Sequence, residues 1–296
     1  MSMVKTIRKR GADYIIGTML TIADHRRDSA GMTYVYPVVS RRAGGVSIGI
    51  NLNVNNACNW ACVYCQVEGL TRGGPPPIDL VLLRAELERL LAEVLEGDFM
   101  ARSVAPEVRQ LVDVAFSGNG EPTSAAEFAA AVAIVRDVLA ERKLLPQVRI
   151  RLITNGSLLH RPMVQRGVEW LGESGGEVWF KLDRVGEAAS RKINGVPQSP
   201  AAVLRRLRAC IALAPTWIQT CWFGMDNQPP STAERAAYCD LLGEVADGVA
   251  GIHLYGLARP SMQPQAMRLS RLPEGDLTDF ATEITKKTGV RVVVNP

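Results

Sequence analysis

The chain is expected to form an α/β fold, a partial (β/α)6 barrel preceded by an N-terminal extension. Strand-like apolar runs alternate with helix-periodic stretches from residue 46 to residue 257, which implies a parallel sheet with helices outside it. A chain of 296 residues with 47% hydrophobic content can bury a large core. Six strand–helix units fall short of the eight that close a (β/α) barrel, so the barrel is expected to be open.

Residues 46–52 alternate as the first strand, and residues 80–95 carry leucines at helical spacing with Glu and Arg between them. An apolar run at 111–117 and an alanine-rich helix at 124–139 form the second unit. The strand at 148–154 leads to a helix at 162–171, and the strand at 177–183 to a helix at 200–213. The strand at 217–223, the helix at 232–245 and the strand at 251–257 close the series. Residues 1–45 are then the extension, 46–260 the core, and 261–296 a tail with a last helix at 277–287 and a strand at 290–294. The Gly73-Gly74-Pro75-Pro76-Pro77 and Gln228-Pro229-Pro230 stretches read as loops between elements.

No apolar run approaches the roughly 18–20 residues needed to cross a bilayer. The first residues lack the apolar segment and small-residue cleavage site of a signal peptide, and Asp13 with a serine-poor composition argues against a transit peptide. A soluble, cytoplasmic protein is the expectation, and six cysteines in a chain this long fit a reducing compartment. Charge is uneven. Residues 1–45 hold Lys5, Arg8, Lys9, Arg10, Arg26, Arg27, Arg41 and Arg42 against Asp13, Asp24 and Asp28, a balance of 8 − 3 = +5 where the whole chain carries +4. Such an end suits RNA or an acidic electron-donor protein; the alternative is a solvated face without a partner.

Three cysteines, Cys58, Cys62 and Cys65, stand at C-x3-C-x2-C spacing in Ala57-Cys58-Asn59-Trp60-Ala61-Cys62-Val63-Tyr64-Cys65-Gln66. Three thiolates on one loop can hold three irons of a four-iron cubane and leave the fourth open to a small molecule. Zinc is the competing reading, but it usually takes two short ligand pairs, and His25 and His160 are remote in sequence. Cys210, Cys221 and Cys239 read as buried thiols, with an auxiliary cluster as the alternative.

The cysteine loop resembles that of the radical S-adenosylmethionine (radical SAM) superfamily. The resemblance implies a 4Fe-4S cluster on Cys58, Cys62 and Cys65, with S-adenosylmethionine chelating the open iron through its methionine amino and carboxylate groups. One electron then breaks a C–S bond and yields a 5'-deoxyadenosyl radical; the chemistry is the cofactor's, and the protein supplies binding and aim. Tyr64, just before the third cysteine, would lie against the adenine, with core packing as its other reading.

In parallel α/β barrels the ligand lies at the C-terminal mouth, which directs attention to the strand ends. The second strand runs into Ser117-Gly118-Asn119-Gly120-Glu121-Pro122, similar to the superfamily's methionine-binding turn. There Gly118 and Gly120 would let the backbone approach a ligand, and Glu121 would meet the methionine ammonium. Thr154 and Asn155 end the third strand with polar groups for the carboxylate or ribose. Asp183 ends the fourth and could bond ribose hydroxyls, while Lys181 could neutralise a carboxylate or contact substrate; the alternative is a Lys–Asp pair at a loop entrance. Gln219 and Thr220, and His253, Tyr255 and Arg259, face the same mouth if strand parity is right. His253, alone in an apolar strand, reads as a core histidine, and Arg259 before Pro260 as a substrate-anion group on a stiff loop.

Several stretches are similar to the wyosine-type radical SAM proteins related to 4-demethylwyosine synthase: 57–66, 117–123, 154–159, and Lys181-Leu182-Asp183 followed by Arg191-Lys192-Ile193-Asn194. This sequence departs from that branch in having no cysteine before Cys58 and no flavodoxin domain. The resemblance implies hydrogen abstraction from a transfer RNA base, with an electron donor such as flavodoxin or ferredoxin. The alternatives are the same chemistry on a small metabolite or peptide, and a zinc-stabilised RNA-binding protein without catalysis.

Overall fold

The computed structural model describes residues 19–20, 30–40 and 42–296. Lys5, Arg8, Lys9, Arg10, Asp13, Asp24, His25, Arg26, Arg27, Asp28 and Arg41 lie outside the described residues. One eight-stranded sheet runs through the molecule in chain order: β1 Val35–Ser40, β2 Gly45–Ile50, β3 Leu111–Phe116, β4 Arg149–Thr154, β5 Glu177–Lys181, β6 Thr216–Cys221, β7 Gly251–Tyr255 and β8 Val292–Asn295. Every neighbouring pair is parallel except the hairpin β1–β2. The strands curl into a half-barrel, the partial barrel that the alternation predicts.

The outward residues of the strands explain the core. Ile48, Ile50, Val114, Ile150, Leu152 and Val178 are wholly buried on the helix side of the sheet. Each such side chain contributes about 1.5–3 kcal/mol when removed from water. Against this side of the sheet pack α1 Leu80–Leu95, α2 Phe128–Glu141, α3 Pro162–Glu173, α5 Pro200–Leu213, α6 Thr232–Gly243 and α7 Glu274–Thr288, whereas the short α4 Glu187–Asn194 puts Ile193 in a separate apolar cluster with Val63, Cys221, Phe223 and Met225. Starts are well marked. Asp79 caps α1 through Leu82 N, Ser199 caps α5 through Ala202 N with Pro200 in its first turn, and Ser231 with Glu234 forms a capping box at α6.

The sheet extends beyond the six expected strands at both edges. β1, within the stretch read as an extension, pairs with β2 from Val35↔Ile50 to Ser40↔Gly45, and Pro37 is tolerated because it sits on an edge strand. Its start is fixed from α1, where the Glu86 carboxylate accepts Thr33 N and Tyr34 N, both at 2.7 Å. β8, within the tail, joins β7 in parallel.

Helix 124–139 is broken at its start. Pro122–Ser124 forms a 3-10 turn and α2 begins at Phe128, because Ser124 Oγ bonds back to Glu121 O at 2.6 Å and Ala125 is extended. α4 was not expected; Glu187 in its first turn and Arg191 and Lys192 in its last favour the helix dipole, and Gly195 ends it in the left-handed region.

Candidate functional site

The cysteine loop leaves β2 and owes its shape to amide side chains. Asn51 Oδ1 accepts Asn53 N and Asn119 N at 3.1 Å each, and Asn53 Nδ2 donates to Ala57 O at 2.9 Å. The second half of the loop docks on the end of α4, with Ala61 N donating to Asn194 O and Val63 N to Ile193 O. A strap after β7 holds it from the other side: Ser261 Oγ donates to Val63 O at 2.7 Å, Met262 N to Cys65 O, and Gln263 Nε2 to Val67 O at 2.8 Å. Arg259 Nη1 donates to Gln66 Oε1 at 2.8 Å. A segment with almost no regular structure is thus fixed on three sides.

All three thiols are free and line one cavity of about 410 Å3 at the C-terminal mouth of the barrel. Trp60 N points at Cys58 Sγ and Asn194 Nδ2 at Cys62 Sγ, each at 3.4 Å. Burial pushes the Cys58 thiol up to about 11 and Cys62 up to about 12, so a metal that takes them as thiolates must displace their protons. Among the described residues, no three His, Cys, Asp or Glu donors converge closely enough to hold a single metal ion. Cys210 and Cys239 sit apart from the cavity, while Cys221 lines its wall.

The turn after β3 lies directly beneath the loop. A Cβ on Gly120 would stand 2.2 Å from Ala57 O, and one on Gly118 2.4 Å from Asn51 Oδ1. The close approach expected of these glycines is therefore made to the cysteine loop and its supporting asparagine. Glu121 is buried and binds the third strand end: Oε1 accepts Thr123 N, Thr123 Oγ1 and Thr154 Oγ1, and Oε2 accepts Asn155 N at 2.7 Å. Burial raises its pKa in spite of these donors. Asn155 Nδ2 reaches back to Asn59 Oδ1 at 2.8 Å, closing the circuit to the loop.

Asp183 is the second buried hub. Its Oδ2 accepts Tyr64 OH at 2.5 Å and Asn194 Nδ2 at 2.8 Å, and its Oδ1 accepts Cys221 N at 2.9 Å. The carboxylate takes the place of a strand carbonyl opposite Cys221, which is why β5 ends at Lys181 and not at 183. Tyr64 packs edge-on against Phe223 at 5.5 Å, and Lys181 Nζ lies 5.0 Å over its ring and 3.4 Å from Tyr255 OH. Burial opposes the Lys181 charge, but Tyr255, Asp183, Cys62 and Cys221 around it raise its pKa overall, and it stands as an ammonium.

Of the residues singled out from the sequence, Cys58, Cys62, Cys65, Tyr64, Gly118, Asn119, Gly120, Glu121, Asn155, Lys181, Gln219 and Arg259 all line the cavity. Pro122, Thr154 and Asp183 stand behind its wall, where Thr154 and Asp183 hold lining residues in place. Thr220 likewise points away, bonding Leu182 O and Tyr238 OH. His253 is buried in the core, packed between Trp179 and Trp217 at 4.6 Å from each ring centroid, but it is not the satisfied histidine expected, since its Nδ1 has no hydrogen-bond partner among the described residues. Asn194, quoted only as part of a motif, touches both Cys62 and Asp183.

Sequence reasoning missed the floor. Ser47 and Arg151 bond Asp113, Arg151 Nε meets Glu177 Oε1 at 2.7 Å, and Arg149 Nη1 meets Glu177 Oε2 at 3.0 Å. Burial raises the Asp113 pKa; at Glu177 burial acts the same way but is outweighed, mainly by Arg151, and the pKa falls. Arg42 lies 5.3 Å over the Trp179 ring and 4.8 Å over the Tyr255 ring. The signal was present as polar residues at even spacing on one face of each strand: Asp113 and Ser117, Arg149 and Arg151, Glu177 and Lys181.

No family model matches the chain. Among solved structures it is similar to a radical SAM methyltransferase from Sphaerobacter thermophilus, with a TM-score of 0.60 and 15% identity over 88% of this chain and 68% of that one. It is also similar to anSMEcpe with bound AdoMet, with a TM-score of 0.51 and 16% identity over 83% of this chain and 63% of that one. The fold is that of the radical SAM barrels. A UPF0026 protein of Methanocaldococcus jannaschii is 31% identical over 163 residues, 53% of this chain and 42% of its own. A UPF0026 protein of Helicobacter pylori is 27% identical over 160 residues, and the match spans less than half of either relative's length. No helix among the described residues is long and apolar enough to cross a membrane.

Proposed function

We propose that this chain is a radical SAM enzyme whose Cys58, Cys62 and Cys65 hold a 4Fe-4S cluster and whose barrel mouth binds S-adenosylmethionine. The observation that carries the reading is three free thiols, from one short loop, facing the same cavity as the Gly118–Glu121 turn at the mouth of a barrel of this fold. Soft sulfur donors suit iron–sulfur ligation, and ligands to three different irons stand farther apart than ligands to one zinc, consistent with thiols that do not converge on a point. When bound, the cluster and S-adenosylmethionine would supply one-electron cleavage of the sulfonium and a 5'-deoxyadenosyl radical that takes hydrogen from the substrate.

The chain's own residues then bind and aim. Glu121 Oε2 accepts one protein donor and keeps a lone pair for an ammonium at the cavity wall. Asn194 and the Trp60 amide direct N–H groups at two of the sulfurs, an arrangement that raises a cluster's reduction potential. The strap residues Ser261 and Gln263 fix the loop, and Lys181 and Arg259 face the space left for substrate. An electron donor such as flavodoxin or ferredoxin completes the reaction. A cavity of about 410 Å3 suits a small substrate; the transfer RNA version leans mostly on basic residues outside the described ones and is tested by a filter-binding salt titration.

Anaerobic reconstitution with iron and sulfide, followed by reduction with dithionite, tests the reading. The expected result is a reducible cluster and release of 5'-deoxyadenosine, with iron lost in Cys62→Ala and kept in Cys210→Ala. Stoichiometric zinc with no 5'-deoxyadenosine would support the non-catalytic alternative.

A further inference from the structure

Two donors on the floor of the cavity have nothing to bond. Arg42 Nη1 and Gln219 Nε2 are both buried without a hydrogen-bond partner among the described residues, and both residues line the cavity. Gln219 is 1% exposed. Leaving a buried donor unsatisfied is destabilising, so two in one place mark a site for an acceptor.

They share one patch. Gln219 stands in register between Lys181 on β5 and His253 on β7, with Trp179 and Tyr255 on the same two strands beside it. Arg42 rests on the rings of those two residues, which brings its guanidinium over the Gln219 amide's part of the floor.

The charges on the floor say what the acceptor is. Arg151 is taken by Asp113 and Glu177, Arg149 by Glu177, and Asp183 acts on Lys181. Arg42 meets ring faces and no carboxylate among the described residues, leaving one positive charge uncompensated. A guanidinium fork beside an amide N–H matches the plane of a carboxylate.

We infer that Arg42 and Gln219 bind a carboxylate group of the substrate on the floor of the barrel, below the cysteine loop. The proposal rests on the radical SAM reading only in calling the ligand a substrate. It makes that substrate a small carboxylic acid.

The test is a titration of the whole protein with acetate, followed by calorimetry and tryptophan fluorescence, both as purified and after anaerobic reconstitution. Saturable binding is expected, weakened at least about tenfold in Arg42→Met and in Gln219→Leu. Arg208→Met, which breaks only a surface ion pair with Glu244, should bind as the wild type does. Gln219→Glu places a carboxylate against Arg42 from within and should abolish acetate binding while the protein stays folded, which decides the matter if Arg42→Met does not fold. No saturable acetate binding, tighter binding of inorganic phosphate than of acetate, or unchanged binding in folded variants would overturn the proposal. Release of 5'-deoxyadenosine is scored separately. Acetate binding without it removes the proposed function and leaves the subsite, and release without acetate binding does the reverse.

Discussion

At the mouth of the barrel the cysteine loop is held mostly by neutral groups, asparagine amides, main-chain N–H and the hydroxyl of Ser261, with Arg259 on Gln66 and Asp183 on Tyr64 as the charged exceptions. On the floor the Asp113, Arg151 and Glu177 side chains are locked in ion pairs on adjacent strands, with His253 clamped between two tryptophans. Neutral bonds on loops can be exchanged for bonds to a ligand at small cost, each being worth about 0.5–1.5 kcal/mol net. Buried ion pairs on strands cannot, because separating them leaves a charge without water. The contrast teaches that the ion-paired part of the floor, Asp113, Arg151 and Glu177, carries stability while the bonds at the mouth are exchangeable, and substitutions should divide along that line.

The largest effect is expected on the floor. Arg151→Met leaves Asp113 buried without its cation and Glu177 with Arg149 alone, and urea unfolding should show a loss of about 3–5 kcal/mol. A loss below that expected at the mouth would break the comparison.

Next comes pH. Burial, followed by Arg42, holds His253 down at about 4 from an ordinary 6.5, while Glu177 acts the other way and Arg151 and Arg291 add to the depression. As pH falls from 6.5 the unfolded chain takes up a proton that the folded chain refuses. Stability therefore drops between pH 6.5 and 4 and the loss is complete below 4, reaching at most about 3 kcal/mol. His253→Phe should flatten that part of the stability–pH curve; an unchanged curve would assign the slope to other groups.

Gly120→Ala drives a Cβ into Ala57 O. Overpacking of this kind costs about 1–3 kcal/mol, and it should displace the loop, so iron loading is expected to fall more sharply than the melting temperature. Smallest is Ser261→Ala, which removes the hydroxyl that reaches Val63 O and Cys65 O and accepts Gln263 N, and should cost about 1 kcal/mol. If its iron is more easily removed by chelator than in the wild type, the strap is a positioning element of the mouth.

The strands and helices were legible because their apolar periods are strong. The bounds of α1 and α5 match the leucine and proline–leucine patterns residue for residue. The cysteine triplet, the Gly118–Glu121 turn and Lys181 could be found because each ends or follows a readable strand. Thr154 and Asp183 were found as polar strand ends, but their direction could not be read, since a one-residue difference in parity turns a side chain from the cavity to the wall behind it. The floor was missed for a related reason: Asp113, Arg151 and Glu177 lie far apart in sequence, and only strand register makes them neighbours.

From the chain alone come the barrel class, the order of its units and the closely spaced cysteine triplet, because periodicity and spacing are local properties of a polymer. Tertiary structure alone decided that β1 and β8 extend the sheet, that Asp183 supports Tyr64 from behind, and that Arg42 and Gln219 share one floor. Apart from the β1–β2 hairpin, those are contacts between residues 40 to 213 positions apart, and no local pattern carries the register and curl of a sheet that bring such residues within reach.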